Sequence, residues 1–298
     1  MAGLSIVRPG MFTTVQDLGR WGHQSRGVPV SGALDWFSHR LANRLLGNAD
    51  TAATLEVTLL GPHVRFERDT IFAVTGADFR LTLDDTTVEM NRTIEAGRGE
   101  VLRFGERVRG ARAYFAVAGG IDVPEILGSR STHVLTATGG HQGRALRAGD
   151  ILELGNEVGT AVHTDRAKTF PGSFLGLRVI PVDQDLAASL TARKFQVSSR
   201  SDRMGYRLEG ETIPIASAGE LISTAVPTGA IQVPPTGQPI LLMNDHATTG
   251  GYAIAAVVIT ADLPLAAQLA PGDAVEFEAC SLETADAERR RREAALGA

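Results

Sequence analysis

The chain has 298 residues, of which 43% are hydrophobic and 21% charged, and its formal net charge is −5. That composition is globular and leaves room for two compact domains or one large one. A net negative chain without a dedicated basic surface excludes a nucleic-acid binder, and with no run of about 18 apolar residues there is no membrane-spanning helix.

Cys280 is the single cysteine, so an intrachain disulfide is impossible and a reducing, cytoplasmic setting is expected. The N-terminus lacks a basic stretch followed by an apolar run, which predicts no signal peptide. Lys168 and Lys194 are the only lysines, in Ala-Lys-Thr and Arg-Lys-Phe. Neither sits between methionines in a hairpin turn, so the chain is not expected to carry biotin itself.

In chain order, Thr13 to Gly32 is polar, Gly-rich and without periodicity. Leu34, Phe37, Leu41 and Leu45 then share one face at helical spacing, predicting a helix from about Ala33 to Leu46 that ends at Gly47. Ser31 is a candidate N-cap, and Asp35 in the first turn suits the positive end of the helix dipole. Short strands follow at Leu55–Leu60, His63–Phe66, Ile71–Thr75, Phe79–Leu83 and Thr87–Met90. Their regular spacing predicts a closed barrel or sandwich. Ala111–Ala118 is the longest apolar strand of this half, and Gly119 to Gly143 is irregular.

Pattern is lost across residues 158–175, where a domain boundary is expected. The second half restarts with strand Leu177–Pro181, helix Gln184–Arg193 and strand Phe195–Ser198. Strands Gln238–Met243 and Tyr252–Thr260 and a short helix Asp262–Leu269 come after. The fold expectation is mainly β with a few short helices, in two barrel-type subdomains, 1–160 and 161–282. A charged C-terminal tail, 283–298, completes the chain, its Arg289–Arg292 run reading as a solvated helix with frayed ends. Gly99-Glu100-Val101-Leu102, Gly149-Asp150-Ile151-Leu152 and Gly272-Asp273-Ala274-Val275 each read as a turn feeding a strand. They mark related β-units or a coincidence among common turns.

Familiar chemical motifs are missing. There is no Walker-type phosphate loop, no H-E-x-x-H and no G-x-S-x-G elbow, and one cysteine builds no thiolate metal site, so no metal is expected. Thr138–Gly143 is Gly-rich but lacks the spacing of a dinucleotide fingerprint. Three polar, Gly-rich segments remain. In the first, Thr13–Arg20 with Gly27–Asp35, glycines permit close backbone approach to a ligand, and the helix start after Ser31 offers N–H groups to an anion or a polarised carbonyl. Alternatively, Asp17 and Arg20 only pair with each other. The second, Ser198–Gly210, carries Arg200, Arg203 and Arg207, either a fork for a carboxylate or phosphate or a hairpin salt-bridged to Asp202 and Glu209. The third joins Pro227–Pro239 to Asn244–Tyr252. Asp245 and His246 are neighbours that point to opposite faces of a strand, so Asp245 with Thr248 and Thr249 makes the better pocket wall.

These segments resemble a known family. Thr13–Arg20 with Gly27–Asp35, Arg203-Met204-Gly205 with Arg207–Gly210, and Gly229–Pro235 with Thr248–Tyr252 and Ala261-Asp262-Leu263 are similar to the biotin-dependent carboxyltransferase "AHS2" family. The C subunit of bacterial 5-oxoprolinase, the second subunit of allophanate hydrolase and the sporulation protein KipA belong to it. The likeness runs from about Val7 to Leu282. One departure is Ala253, where many relatives have proline after Gly-Gly-Tyr.

The resemblance implies cyclophilin-like barrel subdomains and ATP-dependent opening of the 5-oxoproline lactam to L-glutamate. Partners would be a B-subunit-like protein of the KipI/AHS1 type and an A-subunit-like protein of the LamB/YcsF type. With no ATP loop here, ATP would be bound by, or shared with, those partners. The alternatives are a carboxyltransferase half for urea or another amide, fed by biotin on a separate carrier, and a non-catalytic antagonist of a kinase inhibitor. For a lactam or amide substrate the expected catalytic residues are Asp17, Asp245 and Thr249. Arg20, Ser31, Arg203, Gln232, Thr248 and Tyr252 are the expected substrate-binding residues. Gln232 and Thr249 supply donors to the carbonyl, Asp17 and Asp245 accept from N–H, and Arg20 holds a carboxylate.

Overall fold

The computed structural model describes residues 2–156, 176–215 and 222–297; the expected boundary at 158–175 lies outside them. The chain forms two compact units, Met1–Trp21 with Ser31–Pro171, and Gly22–Val30 with Gly172–Ala298. Both are β-rich, and each holds a nearly closed barrel-like sheet, as expected.

The first unit contains β1 (Ala2–Arg8), β2 (Phe12–Gln16), β3 (Thr54–Thr58), β4 (His63–Phe66), β5 (Thr70–Leu83), β6 (Thr86–Val88), β7 (Ile94–Ala96), β8 (Val101–Val117), β9 (Ile121–Asp122) and β10 (Ile151–Leu154). Its sheet runs β2-β3-β8-β4-β1-β10-β9, and β5 lies along β8 while also pairing with β6 and β7. The two strands expected at 71–75 and 79–83 are one strand, β5, whose register against β8 shifts beyond Gly76. The strand expected at 111–118 is the second half of the 17-residue β8.

Period-two alternation gives the central strands of this sheet two distinct faces. Val15, Leu55, Phe115 and Val74 pair in a row across β2, β3, β8 and β5 and belong to the apolar core, where Phe66, Phe72 and Phe115 pack ring to ring. The neighbouring row is Thr14, Glu56, Tyr114 and Thr75. Alternation alone would turn that row to water, yet all four residues are fully buried. The cover is α1 (Trp36–Leu45). Thr75 Oγ1 donates to the Ser38 carbonyl at 2.6 Å, and Ala42, Leu45 and Leu46 pack on Ala73 and Ala116.

α1 opens later than its periodicity suggests. Asp35, not Ser31, is the N-cap, its carboxylate accepting from Ser38 N and Ser38 Oγ. The two preceding N–H groups are also taken, Leu34 N by Glu56 and Asp35 N by Tyr114 Oη. The anion site expected at this helix start is therefore closed, by a buried carboxylate and an acidic cap.

His39 of α1 is wholly buried between Thr54 Oγ1 (2.9 Å from Nδ1) and the Asp50 carbonyl (3.0 Å from Nε2). Burial pulls its pKa from 6.5 down to about 4, against the weaker opposing pull of the Asp50 carbonyl and nearby carboxylates. A depressed histidine pKa means the folded state binds fewer protons than the unfolded one between these values. His39 thus stabilises the fold above pH 6.5, and that contribution is lost as pH falls towards 4, by on the order of 3 kcal/mol. Urea unfolding across this window should show a shallower pH dependence in His39→Gln than in the wild type. Identical slopes would remove His39 as the cause.

The second unit contains β11 (Leu177–Pro181), α2 (Gln184–Thr191), β12 (Phe195–Val197), β13 (Gly205–Gly210), β14 (Thr224–Ala225), β15 (Ala230–Val233), β16 (Ile240–Leu242), β17 (Thr249–Gly250), β18 (Ala253–Val258), α3 (Leu263–Ala266), β19 (Ala274–Val275), β20 (Phe277–Ala279) and α4 (Leu282–Leu296). The main sheet runs β19-β12-β13-β16-β15-β18-β11-β20, and β14 with β17 forms a separate two-stranded ribbon. The C-terminal charge run is helical, but its solvation is uneven. Arg292 and Leu296 are buried, and Asp262, gripped through both oxygens by Arg178, also lies 3.9 Å from Arg292. Glu288 of α4 pairs with Arg178 at 3.2 Å, so the helix is docked by ion pairs instead of fraying.

The thrice-repeated signature is one turn in atomic detail. Gly99, Gly149 and Gly272 have φ of 95°, 89° and 93°, a left-handed conformation that glycine adopts without steric cost. The acid that follows donates its N–H to the carbonyl three residues back and accepts that residue's N–H on its side chain. Glu100 does this with Gly97, Asp150 with Arg147 and Asp273 with Ala270. Each turn feeds a strand, and the device occurs in both units.

Candidate functional site

In the first unit, Asp17 follows β2 and is 6% exposed. Its carboxylate accepts from Gly19 N (2.8 Å), Ser129 Oγ (2.7 Å), Arg130 N (2.5 Å) and Ser131 Oγ (2.5 Å), none of them a cation. The pairing of Asp17 with Arg20 considered from sequence is not formed. Arg20, buried as well, donates from Nη2 to the Ser131 carbonyl. Both residues thus clasp the segment 129–131 onto the end of β2. A ligand reaching Asp17 would first have to displace one of these four donors. Ser31 is fully buried with φ 56°, and its Oγ has no partner among the described residues. A non-glycine residue held in this conformation is strained.

In the second unit, Arg203 and Asp245 form a two-pronged pair, Nε to Oδ2 at 2.9 Å and Nη2 to Oδ1 at 3.2 Å, with both side chains 7% exposed. Asp245 N also donates to the Arg203 carbonyl at 3.0 Å. Arg203, expected as a carboxylate fork, and Asp245, expected as an acceptor, meet each other within the chain. The three arginines do not converge. Arg200 lies 3.6 Å from Glu209, and Arg207 donates to the Arg200 carbonyl. Asp202 caps a turn through Met204 N and Gly205 N.

The ribbon places the third segment. Thr224 pairs with Gly250 and Ala225 with Thr249, and Val226 N donates to the Thr248 carbonyl at 3.1 Å. Thr249 and Tyr252 are exposed, Thr248 half-buried. Gln232 of β15 is 6% exposed, and its Nε2 has no partner among the described residues. A Cβ at Gly250 would come within 2.4 Å of that nitrogen, so glycine is what lets the carboxamide lie against the ribbon. Asp245 and His246 lie in the turn that follows β16, not on a strand as expected, and their side chains take different partners. The imidazole of His246 meets Thr228 Oγ1 at 3.2 Å and the Ala247 carbonyl at 2.6 Å.

Sequence reasoning missed Glu56, Tyr114, His39 and Thr228. Glu56 carried a signal, a carboxylate alternating between Leu55 and Val57 in a strand whose neighbours are also two-faced. Thr228 carried none, because its partner is fixed by ribbon register. Among the described residues no three His, Cys, Asp or Glu side chains gather as a metal site, and no helix is long and apolar enough to cross a membrane.

Comparison with known proteins places this arrangement in a family. The model of the carboxyltransferase domain, subdomains A and B, matches residues 26–279. The 5-oxoprolinase C subunit of Escherichia coli K12 is 41% identical over 95% of this chain and 93% of its own length. That of Haemophilus influenzae is 38% identical over 94% and 92%. Among solved structures, the Kluyveromyces lactis urea carboxylase superposes with a TM-score of 0.93 at 31% identity, over 99% of this chain and 29% of that one. The chain belongs to the carboxyltransferase-domain family comprising subdomains A and B.

Proposed function

We propose that this chain is the C-subunit-like component of an ATP-dependent 5-oxoprolinase that opens 5-oxoproline to L-glutamate together with partner proteins in the cytoplasm. The observation that carries the reading is its nearly end-to-end likeness to two bacterial 5-oxoprolinase C subunits. The partners would be a B-subunit-like protein of the KipI/AHS1 type and an A-subunit-like protein of the LamB/YcsF type. The carboxyltransferase reading is second, favoured by the structural likeness to urea carboxylase; biotin would then arrive on a separate carrier.

We assign substrate contacts to the ribbon of the second unit. The Gln232 carboxamide is a buried donor with unused hydrogen-bonding capacity, suited to the carbonyl of a small amide or lactam. Thr248, Thr249 and Tyr252 supply polar walls around it. The Arg203–Asp245 pair fixes the loop that leads into the ribbon. On the first unit, Asp17, Arg20 and Ser31 act in this reading by shaping the chain after β2, not by free valences.

Among the described residues, the α-helix starts do not suit ATP. α1 and α2 are capped by the carboxylates of Asp35 and Asp183, α3 follows Asp262, and α4 has Glu283 in its first turn. Acidic groups at these positions repel a phosphate that would otherwise favour a helix N-terminus. We therefore assign nucleotide activation to the partners.

The reconstituted assembly tests this reading. The purified chain alone should release no glutamate from 5-oxoproline with ATP. Co-expressed with a B-subunit-like partner it should form a stable complex, burying at least about 1,600 Å² as specific interfaces do, and with both partners it should turn over. Robust turnover by the chain alone, or two chains that migrate independently at micromolar concentration, would overturn it.

A further inference from the structure

One polar pair on the ribbon has its hydrogen atoms fixed by elementary chemistry. The pairing of Thr224 with Gly250 and Ala225 with Thr249 continues through Val226 N to the Thr248 carbonyl. The same antiparallel register then brings Thr228 opposite His246, with Oγ1 3.2 Å from Nε2. The other ring nitrogen, Nδ1, lies 2.6 Å from the Ala247 carbonyl. A carbonyl only accepts, so Nδ1 bears a hydrogen. His246 is 8% exposed, and burial holds its pKa below the ordinary 6.5 against the opposing influence of the Ala247 carbonyl and Asp245. At neutral pH the ring has one hydrogen, on Nδ1, and Nε2 is a bare acceptor.

The hydrogen in the Thr228–His246 contact is therefore the threonine's own. Thr228 is half-buried at a corner of the Pro227–Ala230 turn, which is closed by Ala230 N donating to the Pro227 carbonyl at 3.2 Å. With its hydrogen committed to His246, its oxygen presents lone pairs and no donor. It is a one-way acceptor, set on the ribbon whose other end holds the Gln232 carboxamide against Gly250.

We propose that Thr228 accepts the N–H of the amide or lactam substrate, and that His246 is a positioning residue that fixes the polarity of this contact. The inference rests on the assignment of the substrate site to the ribbon. It gives that site a specificity element, selecting a ring nitrogen bearing hydrogen over an oxygen at the same place. An N–H facing bare lone pairs is bound, whereas a ring oxygen facing them is repelled and leaves the hydroxyl unsatisfied on that side.

The test is equilibrium binding of two probes to the assembled complex, read by calorimetry independently of turnover. One probe is 5-oxoproline; the other is the matching lactone, with ring oxygen in place of N–H. The wild type should hold the lactam on the order of ten- to a hundredfold more tightly than the lactone. Thr228→Val should erase that preference by weakening the lactam alone, Thr228→Ser should keep it, and His246→Phe should reduce it by releasing the threonine hydrogen. A variant that weakens both probes equally would mark Thr228 as merely structural and overturn the proposal. So would a preference that survives Thr228→Val, or a wild-type complex that binds neither probe. A complex that binds with the expected preference but never releases glutamate would leave this contact standing while removing the 5-oxoprolinase reading.

Discussion

Asp245→Ala should destabilise the protein by about 3–5 kcal/mol, because it breaks a buried, two-pronged ion pair with Arg203 by removing one partner. The pair is two-pronged and both side chains are almost fully enclosed. Urea unfolding measures the loss directly. Arg203→Met combined with Asp245→Leu should recover most of it, since an apolar pair of similar volume needs no desolvation of charge. If Asp245→Ala unfolds at the wild-type midpoint, the pair does not hold the loop as argued. The outcome also separates roles. As a free substrate acceptor Asp245 could be replaced with little change in stability and a large loss of activity. As one half of a buried pair it fails first in stability.

A loss of similar size is expected for Glu56→Ala in the first unit. Glu56 is fully buried, and one of its oxygens takes both Leu34 N at 2.9 Å and Tyr114 Oη at 2.7 Å. The other lies 3.8 Å from Arg112 Nε. Removing the carboxylate strands a backbone N–H and a phenol hydroxyl in a closed space and takes a buried negative charge from beside Arg112, a cost of about 3–5 kcal/mol. Tyr114→Phe, which takes away only the hydroxyl on which Asp35 N rests, should cost about 1–3 kcal/mol. The two substitutions should be strongly non-additive, because they break one network. Additive losses would show that α1 is held by apolar packing on Ala73 and Ala116 and not by this carboxylate.

Local pattern was enough to find much of the chain's architecture. The strands His63–Phe66 and Leu177–Pro181 have the bounds read from their residues, and the helix after residue 183 starts where an aspartate cap is available. The three Gly-acid turns were legible because their geometry is made within four residues. The candidate site was less legible. Asp17, Arg20, Arg203 and Asp245 were found by type, as charged residues in Gly-rich segments. Which of them had free valences depended on partners up to 114 residues away, such as Ser131 for Asp17.

The sequence by itself determined the β-rich class, the period-two strands, the turns and the motifs that mark the family, because each is encoded in short-range spacing. Tertiary structure alone decided what faced the second side of the sheet. Alternation declares that Glu56 faces away from Leu55 and Val57, but not that pairing lines it up with Thr14, Tyr114 and Thr75, nor whether water or a helix covers that row. Here α1 covers it, and a row that would have been surface became a buried polar network. The same holds at Thr228 and His246. Their residue types are visible in the chain, but the direction of the hydrogen between them follows only from a ribbon register and a carbonyl placed in three dimensions.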